Sequence, residues 1–244
     1  MGIFFNYEIN LPSDERVFIE NFFYKILLKE YKIDDYYKYL KSVDIVGGLK
    51  GYLESDICGE YDPVTNKIKI KYLDDKNDLI KIIKHELTHV LFHKYNGGVE
   101  TNTFVQEMAY SFINEYNAYF NQFVDEFILL KNNINYQNEL INRIKEVLGS
   151  VFQVKKGRVE LLNLKRLDNE ESKSLLIEFE CLLTYLRSQY YALIMTNKKL
   201  GLLPKSFFGY VDDNILDFLC NINFKKITTH DFEFVERYIL NGVI

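Results

Sequence analysis

Three residues in one stretch of five, His85-Glu86-Leu87-Thr88-His89, could perform chemistry: His85, Glu86 and His89. In a helix, which turns by about 100° per residue, His85 and His89 lie one turn apart on the same face. Two imidazoles at that spacing can bind one metal ion, and zinc hydrolases use this arrangement with a glutamate directly after the first histidine. That glutamate takes a proton from the water at the metal. The motif therefore predicts a catalytic zinc site, with His85 and His89 as ligands and Glu86 as general base.

The residues around the motif predict an amphipathic helix. The acidic turn from Asp74 to Asp78 offers negative charge to a helix N-terminus, and the helix is predicted from about Asp78 to Lys94, before Asn96-Gly97-Gly98. On a helical projection the apolar residues gather on the side opposite the two histidines. They are Leu79, Ile80, Ile83, Leu87, Val90 and Leu91. We expect this apolar side to pack on the core and the other side to carry the chemistry.

A catalytic zinc ion needs a third protein ligand and leaves one position open for water. A third histidine of the metzincin type would stand six residues after His89, where the chain has Tyr95, so that arrangement is excluded. His93 lies on the same side of the helix but more than a full turn beyond His89, and we interpret it as a supporting or surface residue. The candidates downstream are His93, Glu100, Glu107, Glu115 and Glu126.

A second helix, predicted from Asn102 to about Leu130, distinguishes among the glutamates. Glu115 shares a face with apolar and aromatic residues, so its carboxylate points inward and requires a partner. Glu107 falls on a polar face, and Glu126 has the direction of Glu115 but lies three turns later. Glu115 is the preferred third ligand, and Glu107 and Glu126 stay open as alternatives. The neighbours of Glu115 on the inward face are Phe104, Met108, Phe112, Ala118 and Tyr119.

The segments before the motif predict a helical start and a small sheet. Lys67 to Tyr72 alternates polar and apolar residues, which is typical of a strand with one exposed face. Two short strands are predicted before it, from Leu49 to Leu53 and from Ile57 to Tyr61, and a turn follows from Asp62 to Asn66. Upstream, Ser13 to about Ser42 has helical periodicity, with its first residue as N-cap.

The remainder of the chain is predicted to be helical with one exception. Val151 to Val154 and Val159 to Leu162, separated by Lys155-Lys156-Gly157-Arg158, are predicted to pair as a β-hairpin. The fold class is therefore α+β, mostly helical, with a small antiparallel or mixed sheet packed on the metal-binding helix. The predicted helices of this part are Gln137 to Leu148, Asn169 to Thr196, Asp212 to Cys220 and Thr229 to Leu240.

Composition and charge exclude several classes of protein. The chain has 244 residues, of which 48% are hydrophobic, and a net charge of -5, so it can bury a core and has no concentrated basic face for nucleic acid. No apolar run reaches the length of about 18 residues that a membrane helix needs. The N-terminus lacks the pattern of a secretory signal, and the widely spaced cysteines suit a reducing compartment. We expect a cytoplasmic protein without nucleic-acid or membrane partners.

The chain resembles the zincin metallopeptidases, and among them the gluzincin branch, in which a glutamate is the third zinc ligand. The resemblance covers about Leu49 to Leu130 and implies a small sheet, a metal helix and a second helix that delivers the last ligand. It implies that Zn²⁺ is bound by His85, His89 and Glu115, with Glu86 as general base. No aspartate follows Glu115 at the spacing of the larger gluzincins. The matching pieces are Gly59-Glu60-Tyr61-Asp62-Pro63, Lys67 to Tyr72, His85 to His89, and Glu115-Tyr116-Asn117-Ala118.

We expect three parts: a helical segment 1–48, a zincin-like core 49–135 and a helical extension 136–244 packed on the core. The function implied is that of a zinc-dependent metallopeptidase, a hydrolase that cleaves peptide or protein substrates with a water deprotonated by Glu86. Two other hypotheses stay open: a regulatory or binding protein that keeps a zincin fold without catalysis, and a helical scaffold whose histidines are incidental. The candidates for stabilising the oxyanion are Tyr110, Tyr116, Tyr119, Tyr210 and His230.

Overall fold

A computed structural model describes residues 2–51, 57–130, 135–163, 170–204 and 213–240. The chain divides into two compact units, Met1–Gly98 and Val99–Ile244. The first unit contains a small mixed sheet and helices, and the second is helical in its described part. The predicted α+β class, mostly helical with a small sheet, is confirmed. The division after residue 98 falls inside the range 49–135, and the three predicted domains stay a prediction.

The sheet of the first unit has four strands in the order β1-β2-β4-β3. They are β1 Phe4–Tyr7, β2 Ser42–Val46, β3 Gly59–Asp62 and β4 Lys67–Lys71. β1 pairs with β2 and β2 with β4 in parallel, whereas β3 and β4 form an antiparallel hairpin. In the hairpin, Gly59 pairs with Ile70 and Asp62 pairs with Lys67. β3 is thus an edge strand of the sheet, and Gly59 is its first residue.

Alternation in β4 and a buried ion pair explain why these residues form the centre of the sheet. Ile68 and Ile70 are fully buried, whereas the intervening lysines are partly exposed, as the sequence predicts for this strand. β2 buries Asp44 among its apolar residues, and Lys67 of β4 forms a salt bridge with this carboxylate. Because an isolated charge would be costly to bury, the pairing allows β2 to lie inside the sheet beside β4.

The sheet has two strands that the sequence analysis did not predict. β1 was not predicted, and Ser42, the predicted helix end, is instead the first residue of β2. Both strands are short and pair in parallel, so their partners are distant in sequence and little local pattern marks them. Of the predicted strand Leu49 to Leu53, residues 49–51 lie outside the four strands, and residues 52–53 lie outside the described part of the chain.

The first helix is shorter than predicted and starts differently. α1 spans Ser13–Tyr24 and continues as a π-helical turn over Lys25–Glu30, and a short 3-10 turn follows at Tyr36–Lys38. The predicted Ser13 cap is wrong, because Pro12 occupies the N-cap and Ser13 is the first helical residue. The helix packs on the sheet. Fully buried members of the shared core are Ile19, Phe23, Ile26, Leu27, Ile33, Leu40, Val43, Ile45, Ile68, Ile70, Ile83, Leu87 and Val90.

The helix that carries the motif is α2, which spans Lys76–Asn96. Asp75 caps it, since its Oδ1 accepts hydrogen bonds from the backbone N–H groups of Asn77 at 2.7 Å and Asp78 at 3.1 Å. A cap of this kind contributes about 1 kcal/mol to helix stability, and its negative charge suits the helix N-terminus. The helix predicted from Asp78 to Lys94 is confirmed and extends slightly further at both ends.

The described part of the second unit is built from helices, and the longest of them, α5 (Glu170–Leu200), packs against both α3 (Phe104–Leu130) and α4 (Tyr136–Asn163). Aromatic rings contribute to this packing: Phe112 of α3 stacks on Tyr116 and meets the ring of Tyr191 of α5 edge-on at 6.1 Å. None of the described helices in either unit is long and apolar enough to cross a membrane. The helices of the unit are α3 Phe104–Leu130, α4 Tyr136–Asn163, α5 Glu170–Leu200, α6 Asp213–Asn221 and α7 Thr229–Val235, continued by a π-helical turn over Glu236–Leu240.

The predicted hairpin over Val151 to Leu162 is wrong, because α4 is continuous through this range. Gly157 suggested a turn, but it lies where α4 approaches α5 closely, and a Cβ at this position would be 3.1 Å from the ring of Phe179. The glycine therefore permits close helix packing rather than a reversal of the chain. Val151 is buried whereas Phe152 is exposed, so neighbouring apolar residues on this helix do not share one face.

Candidate metal centre

Helix α2 places the two motif histidines side by side. The ring centroids of His85 and His89 are 4.8 Å apart, and the ring planes make an angle of 80°. His85 is 8% exposed and His89 is 6% exposed, so both rings are largely shielded from water. Two imidazoles one turn apart in this way can bind a single metal ion when both are neutral.

The opposite side of α2 packs into the core of the first unit, as its periodicity predicts. The motif side is also shielded from water, since Glu86 is 4% exposed and Thr88 is 2% exposed. Packing of the apolar side in the core fixes the rotation of the helix about its axis, and with it the direction of the histidines. The buried apolar residues on the opposite side are Leu79, Ile83, Leu87 and Val90, and Ile80 and Leu91 are partly buried.

Thr88, between the two histidines, is held by hydrogen bonds. Its hydroxyl donates to the carbonyl oxygen of Lys84 at 2.8 Å, and the hydroxyl of Tyr31 lies 2.9 Å from the same Thr88 oxygen. Tyr31 directly follows the π-helical turn after α1, so this contact fastens the N-terminal segment to the motif helix. From the sequence, Tyr31 is only one residue of the segment Ser13 to Ser42 with helical periodicity, because a partner so distant in sequence leaves no local pattern.

Glu86 lies against the first residue of the edge strand. A Cβ placed on Gly59 would be 2.4 Å from Oε1 of Glu86 and 2.7 Å from its Cγ and Cδ. Real Cβ atoms do not approach other atoms this closely, so the position of the Glu86 side chain requires that residue 59 have none. The Gly59 segment belongs to the resemblance to gluzincins, but no local pattern in the sequence connects this glycine with Glu86.

The structure brings His85 and His89 together with Glu115, the preferred third ligand. One ligand atom from each of these residues lies within 4.8 Å of the other two, and the group could hold a metal ion. Glu115 is carried by α3 and is partly buried, and its Oε2 is shielded from solvent. Two imidazole nitrogens and one carboxylate oxygen are a donor set typical of catalytic zinc, whose ligands lie roughly 3.4 Å apart in a tetrahedral site.

The other candidate ligands have different surroundings. Glu126 is buried and forms a salt bridge of 2.8 Å with Arg143. Glu107 and Glu100 are exposed, in agreement with the polar face predicted for Glu107. Among the residues that the structure describes, the group that could hold a metal includes none of these three.

Among the described residues, His85, His89 and Glu115 form the group that could hold a metal ion, which we call the metal-capable group. His93 is not a member of this group. It lies between two aromatic rings, with centroid distances of 6.2 Å to Tyr39 and 6.0 Å to Tyr61, and burial lowers its pKa. A neutral imidazole among aromatic rings packs like an apolar side chain. His93 therefore stabilises the contact of α2 with neighbouring segments of the first unit.

Two of the candidates for stabilising an oxyanion, Tyr116 and Tyr119, already form hydrogen bonds within the second unit. Tyr116 is buried and its hydroxyl donates to the carbonyl of Leu219 at 3.4 Å, while the hydroxyl of Tyr119 contacts that of Tyr185. Burial raises the pKa of Tyr110 to about 12. His230 is exposed, and Tyr210 lies outside the described residues. The geometry thus selects none of them as an oxyanion donor.

The comparisons with known proteins return no match. No protein-family model, no curated protein and no solved structure matches this chain in them.

Proposed function

We propose that this protein is a zinc-dependent metallopeptidase of the zincin type that hydrolyses peptide bonds in a peptide or protein substrate. The observation that carries the proposal is the convergence of His85, His89 and Glu115, with Glu86 directly after the first histidine. The donor set and the proximity of its atoms fit zinc. Three protein ligands would leave one position of a tetrahedral site for water or substrate.

Each residue of the site has a defined role in this proposal. The two histidines and Glu115 would hold the metal, and a bound zinc ion would lower the pKa of water and polarise the substrate carbonyl. Glu86 would accept a proton from the attacking water and deliver it to the leaving amine. Glu86 lies close against Gly59, and this packing would limit the movement of its carboxylate relative to the water.

Zinc reconstitution of the full chain tests the proposal. Metal-stripped protein should bind one zinc ion per chain, measured by mass spectrometry of the metal, and should then cleave members of a peptide library, read by mass spectrometry. Removing zinc with a chelator should abolish cleavage, and adding zinc back should restore it. His85→Ala should lose zinc binding. Its matched control, His230→Ala, should keep it, because His230 is exposed and lies outside the metal-capable group. Failure of the wild type to bind zinc would exclude the metal site.

Gly59→Ala should reduce catalysis without removing zinc. The added methyl group would meet Glu86 at 2.4 Å and push its carboxylate away from the attacking water. We expect kcat/KM to fall by about 10- to 100-fold, because small displacements of a reacting group have effects of this size. The control is Gly48→Ala, since a Cβ on Gly48 has no atom within 4 Å. Equal kcat/KM in Gly59→Ala and wild type, with zinc bound in both, would contradict this positioning.

The burial of the motif favours a second candidate, a regulatory or binding protein that keeps the metal site without catalysis. His85, Glu86 and His89 are each less than a tenth exposed, which restricts the access of a substrate. A hydroxamate ligand distinguishes the two functions, because it binds only where the metal has an exchangeable position. Zinc binding without hydroxamate binding or peptide cleavage would support the regulatory candidate.

A further inference from the structure

Strand β3 packs against the motif helix α2 and meets it at two positions. Gly59 and Tyr61 are two residues apart in the strand, so both face the same side of the sheet. Glu86 and His93 are seven residues apart in the helix, which is almost two full turns, so these two residues also share a face. The spacing of the two pairs therefore allows one side of β3 to contact one side of α2.

The structure shows both contacts. A Cβ on Gly59 would lie 2.4 Å from Oε1 of Glu86, so the strand and this side chain are in close contact. Two residues further along β3, the ring of Tyr61 packs on the ring of His93, with 6.0 Å between the centroids. β3 is thus fixed against α2 both at Glu86 and about 10 Å further along the helix.

Three neighbours hold the ring of His93. The ring of Tyr39 meets it edge-on at 6.2 Å, and the hydroxyl of Tyr61 donates to the carbonyl oxygen of Tyr39 at 2.8 Å, which links the two tyrosines. Gly97 is the third neighbour, because a Cβ there would be 2.5 Å from Cε1 and 2.7 Å from Nδ1 of His93. Real Cβ atoms do not approach other atoms this closely, so the orientation of the ring requires that residue 97 have no side chain.

We infer that His93 is a positioning residue for Glu86 and acts through β3. The His93 ring sets how closely Tyr61 approaches α2, and Gly59 moves with Tyr61 because both residues pair with β4. Gly59 in turn limits where the Glu86 carboxylate can lie. The inference rests on the proposed peptidase function, in which Glu86 is the general base.

Gly97→Ala displaces the His93 ring without changing His93, and Gly98→Ala is its matched control. Neither glycine has a left-handed backbone, so alanine fits the backbone at both positions. In the described part of the chain, no atom lies within 4 Å of a Cβ on Gly98. With zinc bound, Gly97→Ala should lower kcat by about tenfold and change KM by less than about twofold, because a displaced general base affects the transition state more than substrate binding. Gly98→Ala should keep the wild-type kcat.

A second series of variants removes and restores the ring at position 93. His93→Ala should lower kcat by about tenfold, and His93→Phe should recover most of this loss, because a phenylalanine ring can pack between Tyr39 and Tyr61. In a Glu86→Gln background, His93→Ala should cause no further loss, since the carboxylate that it positions is absent. An equal loss in both backgrounds would overturn the inference, because the effect would then be a general loss of folded protein. Equal kcat in His93→Ala and wild type would also overturn it.

Hydrogen exchange in β3 distinguishes failure of this inference from failure of the proposed function. In the zinc-free full chain, measured by mass spectrometry, the amides of Gly59–Asp62 should exchange faster in Gly97→Ala and His93→Ala than in wild type and Gly98→Ala. This measurement needs no peptidase activity. Unchanged exchange in β3 would overturn the inference even if the wild type cleaves peptides. Faster exchange, together with a zinc-loaded wild type that cleaves no peptide, would support the contact of His93 with β3 and contradict the proposed function instead.

Discussion

Replacing Glu86 by glutamine is expected to abolish peptide cleavage while zinc remains bound. The amide cannot accept a proton from the attacking water, and loss of a general base lowers kcat/KM by about 10²- to 10⁴-fold. Glutamine has almost the same shape as glutamate, so its side chain can occupy the same place against Gly59. Because the three proposed ligands are unchanged, the zinc content should stay at one ion per chain.

The experiment compares kcat/KM and zinc content in wild type, Glu86→Gln and Glu107→Gln. Glu107 is an exposed glutamate outside the metal-capable group, so its substitution controls for the loss of one negative charge. We expect Glu107→Gln to retain the wild-type rate within about twofold, as surface substitutions usually have small effects. Unchanged cleavage by zinc-loaded Glu86→Gln would exclude Glu86 as the general base.

Gly59→Ala and Glu86→Gln should also depend on each other. Gly59→Ala acts by moving the Glu86 carboxylate, so it should cause little further loss once that carboxylate has been replaced by an amide. The double variant should therefore be about as slow as Glu86→Gln alone. Additive losses in the double variant would show that Gly59 acts through something other than Glu86.

The sequence was sufficient for features whose cause is local. The motif helix follows from apolar residues at helical spacing and from the acidic turn before it, and β4 follows from strict alternation. In both cases each residue's environment is fixed by its neighbours along one element. The inward direction of Glu115 followed in the same way from the periodicity of a single helix, α3.

The features that the sequence did not predict depend on contacts between distant segments. β2 is stabilised by parallel neighbours on both sides and by the pairing of Asp44 with Lys67, none of which leaves a local pattern. The contacts of Gly59 with Glu86 and of Tyr31 with Thr88 have the same origin. Gly157 misled the prediction because glycine marks both turns and close helix contacts, and only the position of Phe179 distinguishes the two.

The choice of a third ligand among the glutamates depends both on the local periodicity of one helix and on contacts between distant segments. Periodicity placed Glu115 and Glu126 in the same direction on one helix and left both open as ligands. The structure separates them, because Glu126 pairs with Arg143 whereas Glu115 joins the histidines. A partner for Glu126 could not be assigned from the sequence, since Arg143 is one of many cations that follow it.

Replacing Glu115 by glutamine is expected to weaken zinc binding by about 100-fold or more. The substitution removes the negative ligand of the group and leaves two neutral imidazoles, and changes even outside the ligands of a metal often cost 10- to 100-fold in affinity. Zinc added in excess stabilises the native protein in proportion to the logarithm of its concentration over Kd. The rise in Tm on adding zinc should therefore be large for wild type and small for Glu115→Gln.

Glu126→Gln is the matched control for Glu115→Gln, because it makes the same chemical change on the same helix. It breaks the buried salt bridge with Arg143, so it should lower the Tm of the zinc-free protein, but it should leave the zinc affinity unchanged. The two variants should thus affect different quantities. Glu115→Gln should reduce the rise in Tm on adding zinc, and Glu126→Gln should lower the Tm of the zinc-free protein. If Glu115→Gln binds zinc as tightly as wild type while His85→Ala does not, the histidines hold the metal and Glu115 is not its third ligand.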